Sequence, residues 1–323
     1  GLVGSEMCIR DSSMITYVLK KLIILLGSLF IIITTTFYLI KSIPGDPFTD
    51  SQLLPKEVVQ SLLSHYGLDE PLYKQYVHYL CKLIRLDFGE SIKYENKSVS
   101  QIIFQGLPIS LSLSITALLC ALGIGILIGS LVSIYSNRSN RIIFLIYTII
   151  ATSLPSFLLA FLLQYLFAIH WKIFPVARLD SIWHMVLPVL SLASFPAAFV
   201  AKLTHTSMMQ TLNKPFIITA IAKGLSPRRI FFHHVVKNSL LPVIAYIGPL
   251  SASIFPASFV IERIFAIPGL GSWLIVSITH RDYLVVLGIT IFYSMLLLLI
   301  VFLIDLIYPL LDPRICMREK RYA

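Results

Sequence analysis

Charged residues are scarce in this chain of 323 residues, and the scarcity excludes an ordinary soluble domain. Only 13% of the residues are charged and 57% are hydrophobic, and the mean hydropathy is +0.84. Soluble domains carry about 25% charged residues, so a multi-pass membrane protein in the lipid bilayer is predicted. The net charge of +10 does not predict nucleic-acid binding, because the bases lie in loops between apolar runs, where orientation in the bilayer explains them.

Cysteine pairs and nucleotide-binding motifs are missing as well. The four cysteines, Cys8, Cys81, Cys120 and Cys316, lie far apart and show no C-x-x-C or C-x-x-H spacing. A disulfide framework, a metal site and a haem, zinc or redox cofactor are therefore not expected. The P-loop pattern G-x-x-x-x-G-K-[ST] is also absent, so the chain is not expected to hydrolyse ATP.

Ionisable residues are nearly absent from the apolar runs themselves. Six membrane-spanning helices are predicted, at about 22–40, 107–135, 142–169, 184–201, 240–260 and 284–307. A proton-coupled carrier needs acids or histidines at membrane depth, and a membrane-embedded enzyme needs catalytic pairs there. Both alternatives are disfavoured, and the energy for any transport is expected to come through a cytoplasmic loop.

The chain divides by charge. The segment 41–105 holds half of the 16 acids and seven bases, whereas 202–238 holds six bases and no acid. The contrast predicts that 41–105 is external (periplasmic) and that 202–238 is cytoplasmic. Residues 1–13 resemble a non-native extension, 14–40 form the first membrane helix, and the tail 310–323 is expected inside with the N-terminus.

The loop 202–238 has the local pattern of two short helices around a turn. Ile217, Ala220 and Ile221 recur at helical spacing and predict one apolar face. Gly224 suits the C′ position, where the backbone is left-handed. Ser226 suits an N-cap and Pro227 the first position of the next helix.

The stretch TAIAKGLSPRRIFFHHVVKNSLLP within this loop resembles the cytoplasmic "EAA" loop of permease subunits in binding-protein-dependent ABC importers. It is most similar to the oligopeptide and dipeptide importers, although Ile218 stands where the family motif has its acid. The resemblance implies a coupling helix that docks on an ATPase; the alternative is an ordinary basic loop. The implied coupling residues are Ala220, Lys223, Gly224, Ser226, Pro227, Arg228, Arg229, His234 and Asn238.

Three other segments resemble the same family, so that four motifs stand in the family's order. They are YGLDEPLYKQYVHYLCKLIRLDFGESI at 66–92, the ERIFAIPGLGSW and HRDY pair within 262–283, and LDPRI at 311–315. The segment PGDPF at 44–48 precedes them. The resemblance implies a type I ABC importer fold with a permease domain at 106–309. The implied contacts with an external binding protein are Asp69, Pro71, Gln75, Tyr76, Pro268, Gly269 and Gly271. For Asp69 and Glu70, a helix N-terminus is favoured over acid–base chemistry.

The resemblance implies the permease subunit of an ATP-driven importer of oligopeptides or dipeptides that works by alternating access. A second permease subunit, two ATPase subunits and an external binding protein are the expected partners. Importers of nickel or glutathione share these motifs, so cargo stays open. An ATP-independent carrier is the alternative of another class.

Overall fold

The computed structural model describes residues 2–43, 56–65, 67–94, 97–135 and 137–311. The PGDPF segment and the basic tail after 311 lie outside these residues. The chain forms two compact units, one made of Gly1–Leu107 with Trp273–Ala323 and the other of Pro108–Ser272. The helices in chain order are α1 Leu2–Ser42, α2 Lys56–His65, α3 Leu72–Ile84, α4 Val99–Ile134, α5 Arg138–Ser153, α6 Ser156–Leu163 with a π-helical extension Gln164–His170, α7 Trp183–Leu212, α8 Pro215–Ala222, α9 Pro227–Ile230, a π-helical segment Phe231–Val236, α10 Lys237–Ser239, α11 Leu241–Ala245, α12 Ile247–Ile264, α13 Leu270–Thr279 and α14 Tyr283–Leu311.

The number of membrane spans agrees with the prediction when two bent helices are each counted once. Among the described residues, four straight stretches are long and apolar enough: Thr16–Ser42, Val99–Ile134, Trp183–Leu212 and Tyr283–Leu306. A span needs about 20 apolar residues. The bent pairs are Arg138–Ser153 with Ser156–His170, at 102°, and Pro227–Ala245 with Ile247–Ile264, at 49°. The all-α, six-span fold class is confirmed on this count.

Helix α1 begins at Leu2, before Met14. The interpretation of residues 1–13 as a non-native extension stays a prediction.

The predicted third span, 142–169, is not one straight helix. Leu154 has an extended backbone, and Pro155 occupies the N-cap of α6 with ψ 139°. Proline disfavours the helical region for the residue before it and donates no N–H. The chain therefore turns at this dipeptide.

The predicted loop also begins too early. Helix α7 continues through residues 202–212, because Thr204, Ser207, Met208 and Thr211 repeat at helical spacing and are buried along one face. The end of an apolar run therefore did not mark the end of the helix.

Helices α4 and α7 pack closely against each other in the core of the second unit. A Cβ built on Gly125 would lie 2.7 Å from the Ala197 carbonyl oxygen, and one built on Gly129 would lie 2.5 Å from the Ala201 carbonyl oxygen. Small residues four apart let two helices approach closely. The small-x-x-x-small pair formed by Gly125 and Gly129 therefore faces α7, and an apolar core of α4, α7 and α12 residues surrounds it.

We expect Gly129→Ala to destabilise the protein and Gly123→Ala to be tolerated. The alanine methyl at 129 meets backbone, whereas at 123 no atom lies within 4 Å. Overpacking of this kind costs about 1–3 kcal/mol, while Gly→Ala in an open helical position gains up to about 1 kcal/mol. Unfolding of the two purified variants in a denaturing detergent titration measures the difference; equal midpoints would contradict the packing described.

Candidate coupling loop and external motifs

The turn of the candidate coupling loop lies between α8 and α9. Gly224 has φ +74°, and its N–H donates to the Ile221 carbonyl at 2.9 Å. The predicted C′ glycine is thus confirmed. Ser226 occupies the N-cap of α9 with Pro227 after it, also as predicted, but its side chain caps no N–H of the described backbone.

Helix α8 has two apolar faces rather than one. Ile217 and Ala220 are buried and pack with Met208, Ile230 and Val235 in a small cluster. Ile218 and Ile221 are 64% and 61% exposed. Ile221 was predicted on the buried face; it instead shares the other face with Ile218, because residues three apart lie side by side on a helix. We call this exposed pair the α8 apolar face.

The predicted coupling residues lie together in this loop, with different exposure. Ala220 is buried, so its role is to anchor α8. The Asn238 side chain donates to the His234 carbonyl at 2.7 Å, which fixes the end of the second helical segment. Exposed positions are Lys223, Gly224, Ser226, Pro227, Arg228, Arg229 and Asn238, and His234 is half-buried.

The motif at 66–92 forms the start of α3 in the first unit. Pro71 is the N-cap residue of α3, no side chain caps the helix, and its first turn holds no acid. The predicted N-cap and charged-first-turn role of Asp69 and Glu70 is therefore wrong. Gln75 donates to the carbonyls of Leu68 and Glu70, at 3.2 and 2.6 Å. Tyr76 is hydrogen-bonded to Thr34 on α1 at 2.7 Å. Asp69 and Pro71 are exposed, and Gln75 and Tyr76 are half-buried.

The end of that motif meets HRDY. The Asp282 carboxylate is buried and accepts a hydrogen bond from the Ser91 hydroxyl. It also receives the Ile92 and Val285 backbone N–H groups at 3.3 and 3.4 Å. One carboxylate therefore caps the first turn of α14 and holds a loop 191 positions away in sequence.

A buried carboxylate also holds the ERIFAIPGLGSW motif of the second unit together by hydrogen bonds. Glu262 is 0% exposed, although sequence reasoning placed it in a loop. Its Oε2 accepts from the Gly271 N–H at 2.8 Å and lies 3.4 Å from the Ser272 nitrogen. The Ser110 hydroxyl bonds to the same carboxylate and accepts the Leu270 N–H at 2.8 Å. Glu262 and Ser110 thus satisfy the free N–H groups at the start of α13, as helix N-termini require.

The two glycines of this motif lie inside the unit. A Cβ on Gly269 would fall 2.4 Å from Glu262 Oε2, and one on Gly271 would fall 2.3 Å from Phe259 Cα. Buried residues of this kind do not reach a separate protein. Because they have no Cβ, the two glycines instead let the Glu262 carboxylate and helix α12 pack against this segment. Only Pro268 of the three predicted contacts is exposed.

Sequence reasoning missed Glu262 and Asp282 as structural centres. Both stood within recognised motifs, but each acts through partners distant in sequence. One feature of the sequence could have indicated this role: each acid lies next to an apolar run. An acid in such a place is costly to bury unless it is hydrogen-bonded.

Six apolar spans, a basic loop with an exposed apolar face and helices capped by buried carboxylates are typical of a multi-pass membrane component of a transport system. The chain belongs to the family of binding-protein-dependent transport system inner membrane components. That family matches residues 121–316, and the N-terminal family of the same membrane components matches residues 14–114. The predicted family is confirmed, and the protein is a multi-pass inner-membrane protein.

Curated relatives match over nearly their whole length. The dipeptide transport system permease protein DppB of Bacillus subtilis (strain 168) is 42% identical over 307 residues, covering 95% of this chain and 100% of that protein. The oligopeptide transport system permease protein OppB of Haemophilus influenzae is 37% identical over 304 residues, covering 94% and 99%. Among solved structures, the crystal structure of an amino acid ABC transporter with histidines has a TM-score of 0.53 at 17% identity, covering 65% of this chain and 94% of that chain. This last likeness concerns the fold and agrees with a type I importer permease.

Proposed function

We propose that this chain is the permease subunit of an ATP-driven importer that moves oligopeptides or dipeptides across the inner membrane by alternating access. Peptide cargo is favoured over nickel or glutathione because both relatives named above are peptide-transport permeases. The chain supplies part of the path, and ATP is hydrolysed on separate subunits. An ATP-independent carrier is disfavoured by the nearly uncharged span interiors.

The observation that carries the proposal is the α8 apolar face. Ile218 and Ile221 are exposed side by side on α8, while Ile217 and Ala220 fix α8 from behind. Phe232 of the same loop is also 65% exposed. Burying two such side chains in a partner's groove contributes about 1.5–3 kcal/mol each. The exposed bases at Lys223, Arg228 and Arg229 would flank that contact.

In this proposal the loop 202–238 faces the cytoplasm together with both termini, and each of two ATPase subunits docks on one permease subunit. A second permease subunit completes the path, since six helices alone rarely enclose a peptide. An external binding protein delivers cargo to the segment 41–105 and to the exposed Pro268 region. The permease domain is assigned to 106–309.

Co-purification tests the proposal directly. The tagged chain, extracted from its own membranes in mild detergent, should bring down an ATPase and a second six-span subunit. The double variant Ile218→Ser/Ile221→Ser should recover at least ten-fold less ATPase, because the docking area is lost. Ile182→Ser changes an isoleucine outside the loop that is even more exposed, at 81%; it is the control and should recover the wild-type amount.

A chain that purifies alone and transports peptide into liposomes without ATP would overturn the proposal. Full ATPase recovery by the double variant would move the docking surface away from α8.

A further inference from the structure

The first unit contains a cavity of about 530 Å³ that the motifs above do not explain. It lies between the end of α1, the start and middle of α3, the loop 87–92 and the first turn of α14. The volume is in the range of sites for small molecules, which is about 300–1,000 Å³. The cavity is therefore large enough to hold a ligand.

The apolar part of the wall is formed by a packed aromatic and aliphatic group. Phe37, Tyr79 and Leu287 are all buried in one cluster, and the Phe37 and Tyr79 rings stack with centroids 6.0 Å apart. Phe88 lines the cavity from the loop side. Rigid aromatic walls provide contact area for an apolar side chain of a ligand.

Charged groups of both signs surround this apolar part. Lys41 and Lys82 line the cavity from α1 and α3, and Glu70, Asp87 and Glu90 line it from the neighbouring loops. A cation would be repelled by the two lysines, and an anion would be repelled by the three acids. A zwitterion has a carboxylate for the lysines and an ammonium for the acids, so the lining matches a molecule with both charges.

The Tyr79 hydroxyl is the polar group that a ligand would satisfy. Tyr79 is 6% exposed, and its hydroxyl has no hydrogen-bond partner in the described part of the chain. A buried hydroxyl without a hydrogen-bond partner destabilises the unliganded protein. Burial also raises the pKa of Tyr79, so the group stays a neutral donor at physiological pH.

From these observations we propose that the cavity is a binding site on the permease for a small zwitterion with an apolar side chain, such as a dipeptide. Tyr79 hydrogen-bonds to the ligand, and the lysines and acids at the cavity hold its two charged ends. The choice of a dipeptide as the natural zwitterion rests on the proposed function. Most of the lining belongs to the predicted external segment 41–105, and Phe37 and Leu287 come from the ends of two predicted spans, so the site would receive cargo before the path through the spans.

The test is binding of radiolabelled alanyl-phenylalanine to the full chain in lipid nanodiscs, without ATP or partner subunits. The same dipeptide with its N-terminus acetylated and its C-terminus amidated carries no charge and should bind at least ten-fold more weakly. Tyr79→Phe should weaken binding of the zwitterion roughly 3- to 10-fold, as expected for one lost hydrogen bond. Tyr73→Phe, an exposed tyrosine on the same helix and outside the cavity, should leave binding unchanged.

Stability separates a ligand role from a structural one. Since Tyr79→Phe removes an unsatisfied polar atom, its thermal midpoint without ligand should equal or exceed the wild-type value. Lys82→Met should weaken binding of the zwitterion, whereas Lys74→Met on the same helix should not. Equal binding of the charged and capped peptides, or unchanged binding by Tyr79→Phe, would overturn the inference.

ATP-driven peptide uptake by the complete transporter is measured in parallel. Uptake without any binding to the isolated chain would overturn the cavity site and leave the proposed function standing. Binding that follows the pattern above supports the cavity site, even if the assembled transporter imports no peptide and the proposed function fails.

Discussion

Glu262→Leu is expected to lower the stability of the purified protein by about 3–5 kcal/mol and to abolish uptake. The substitution leaves the Gly271 and Ser272 N–H groups without their carboxylate, and the Ser110 hydroxyl loses an acceptor. Each unsatisfied buried donor costs about 1–3 kcal/mol, and breaking a buried charged network costs about 3–5 kcal/mol. Thermal unfolding in detergent, followed by tryptophan fluorescence, measures the loss.

Two variants control for general damage at this place. Glu262→Gln keeps the shape and one acceptor but turns an amide NH₂ toward backbone donors, so an intermediate loss is expected. Arg263→Gln changes the exposed neighbour and should leave the unfolding midpoint within experimental error. A wild-type midpoint for Glu262→Leu would show that α13 does not depend on this carboxylate.

The dependence of α13 on Glu262 also shows the limit of sequence reasoning. The motif from Glu262 to Gly271 was recognised, but its glycines were interpreted as surface contacts. Only the three-dimensional arrangement places Ser110, 160 positions from Leu270, against the same carboxylate. A partner at such a separation leaves no periodic signal in a single sequence. In the sequence, Ser110 is an ordinary serine on an apolar helix.

Local features were predicted more accurately. Gly224 and Pro227 have the positions that turn chemistry assigns to them, because a left-handed residue and a missing N–H are decided within a few residues. The end of α7 was predicted wrongly for the opposite reason. Whether the chain leaves the helix at 202 or at 212 depends on what the buried face, including Met208, packs against.

The apolar face of α8 depends both on local sequence periodicity and on packing between distant residues. Periodicity predicted an amphipathic helix at the correct place, and it put Ile221 on the wrong side. The observed side chain is exposed next to Ile218, which stands at the acid's position in the family motif. In the proposed docking, an apolar residue in that place would make the contact depend more on burial than on charge, and burial tolerates salt better than ion pairs do.

Gly224→Val is expected to reduce uptake at least ten-fold while the protein still inserts into the membrane. No atom lies within 4 Å of a Cβ at this position, so the effect comes from the backbone alone. A β-branched residue at φ +74° is strained, by about 1–3 kcal/mol. Since about 1.4 kcal/mol is ten-fold in an equilibrium, the native turn loses at least several-fold in population relative to alternative turns, and α8 presents its apolar face in a less fixed orientation.

Gly224→Asn separates backbone strain from loss of the glycine as such. Asparagine enters the left-handed region more readily than other residues with a side chain, and open space surrounds the position. It should therefore retain most of the uptake at equal membrane levels. If valine transports as well as asparagine, the fixed turn is not needed for coupling; if both fail equally, the side chain itself blocks the docking partner, and the contact includes the turn as well as α8.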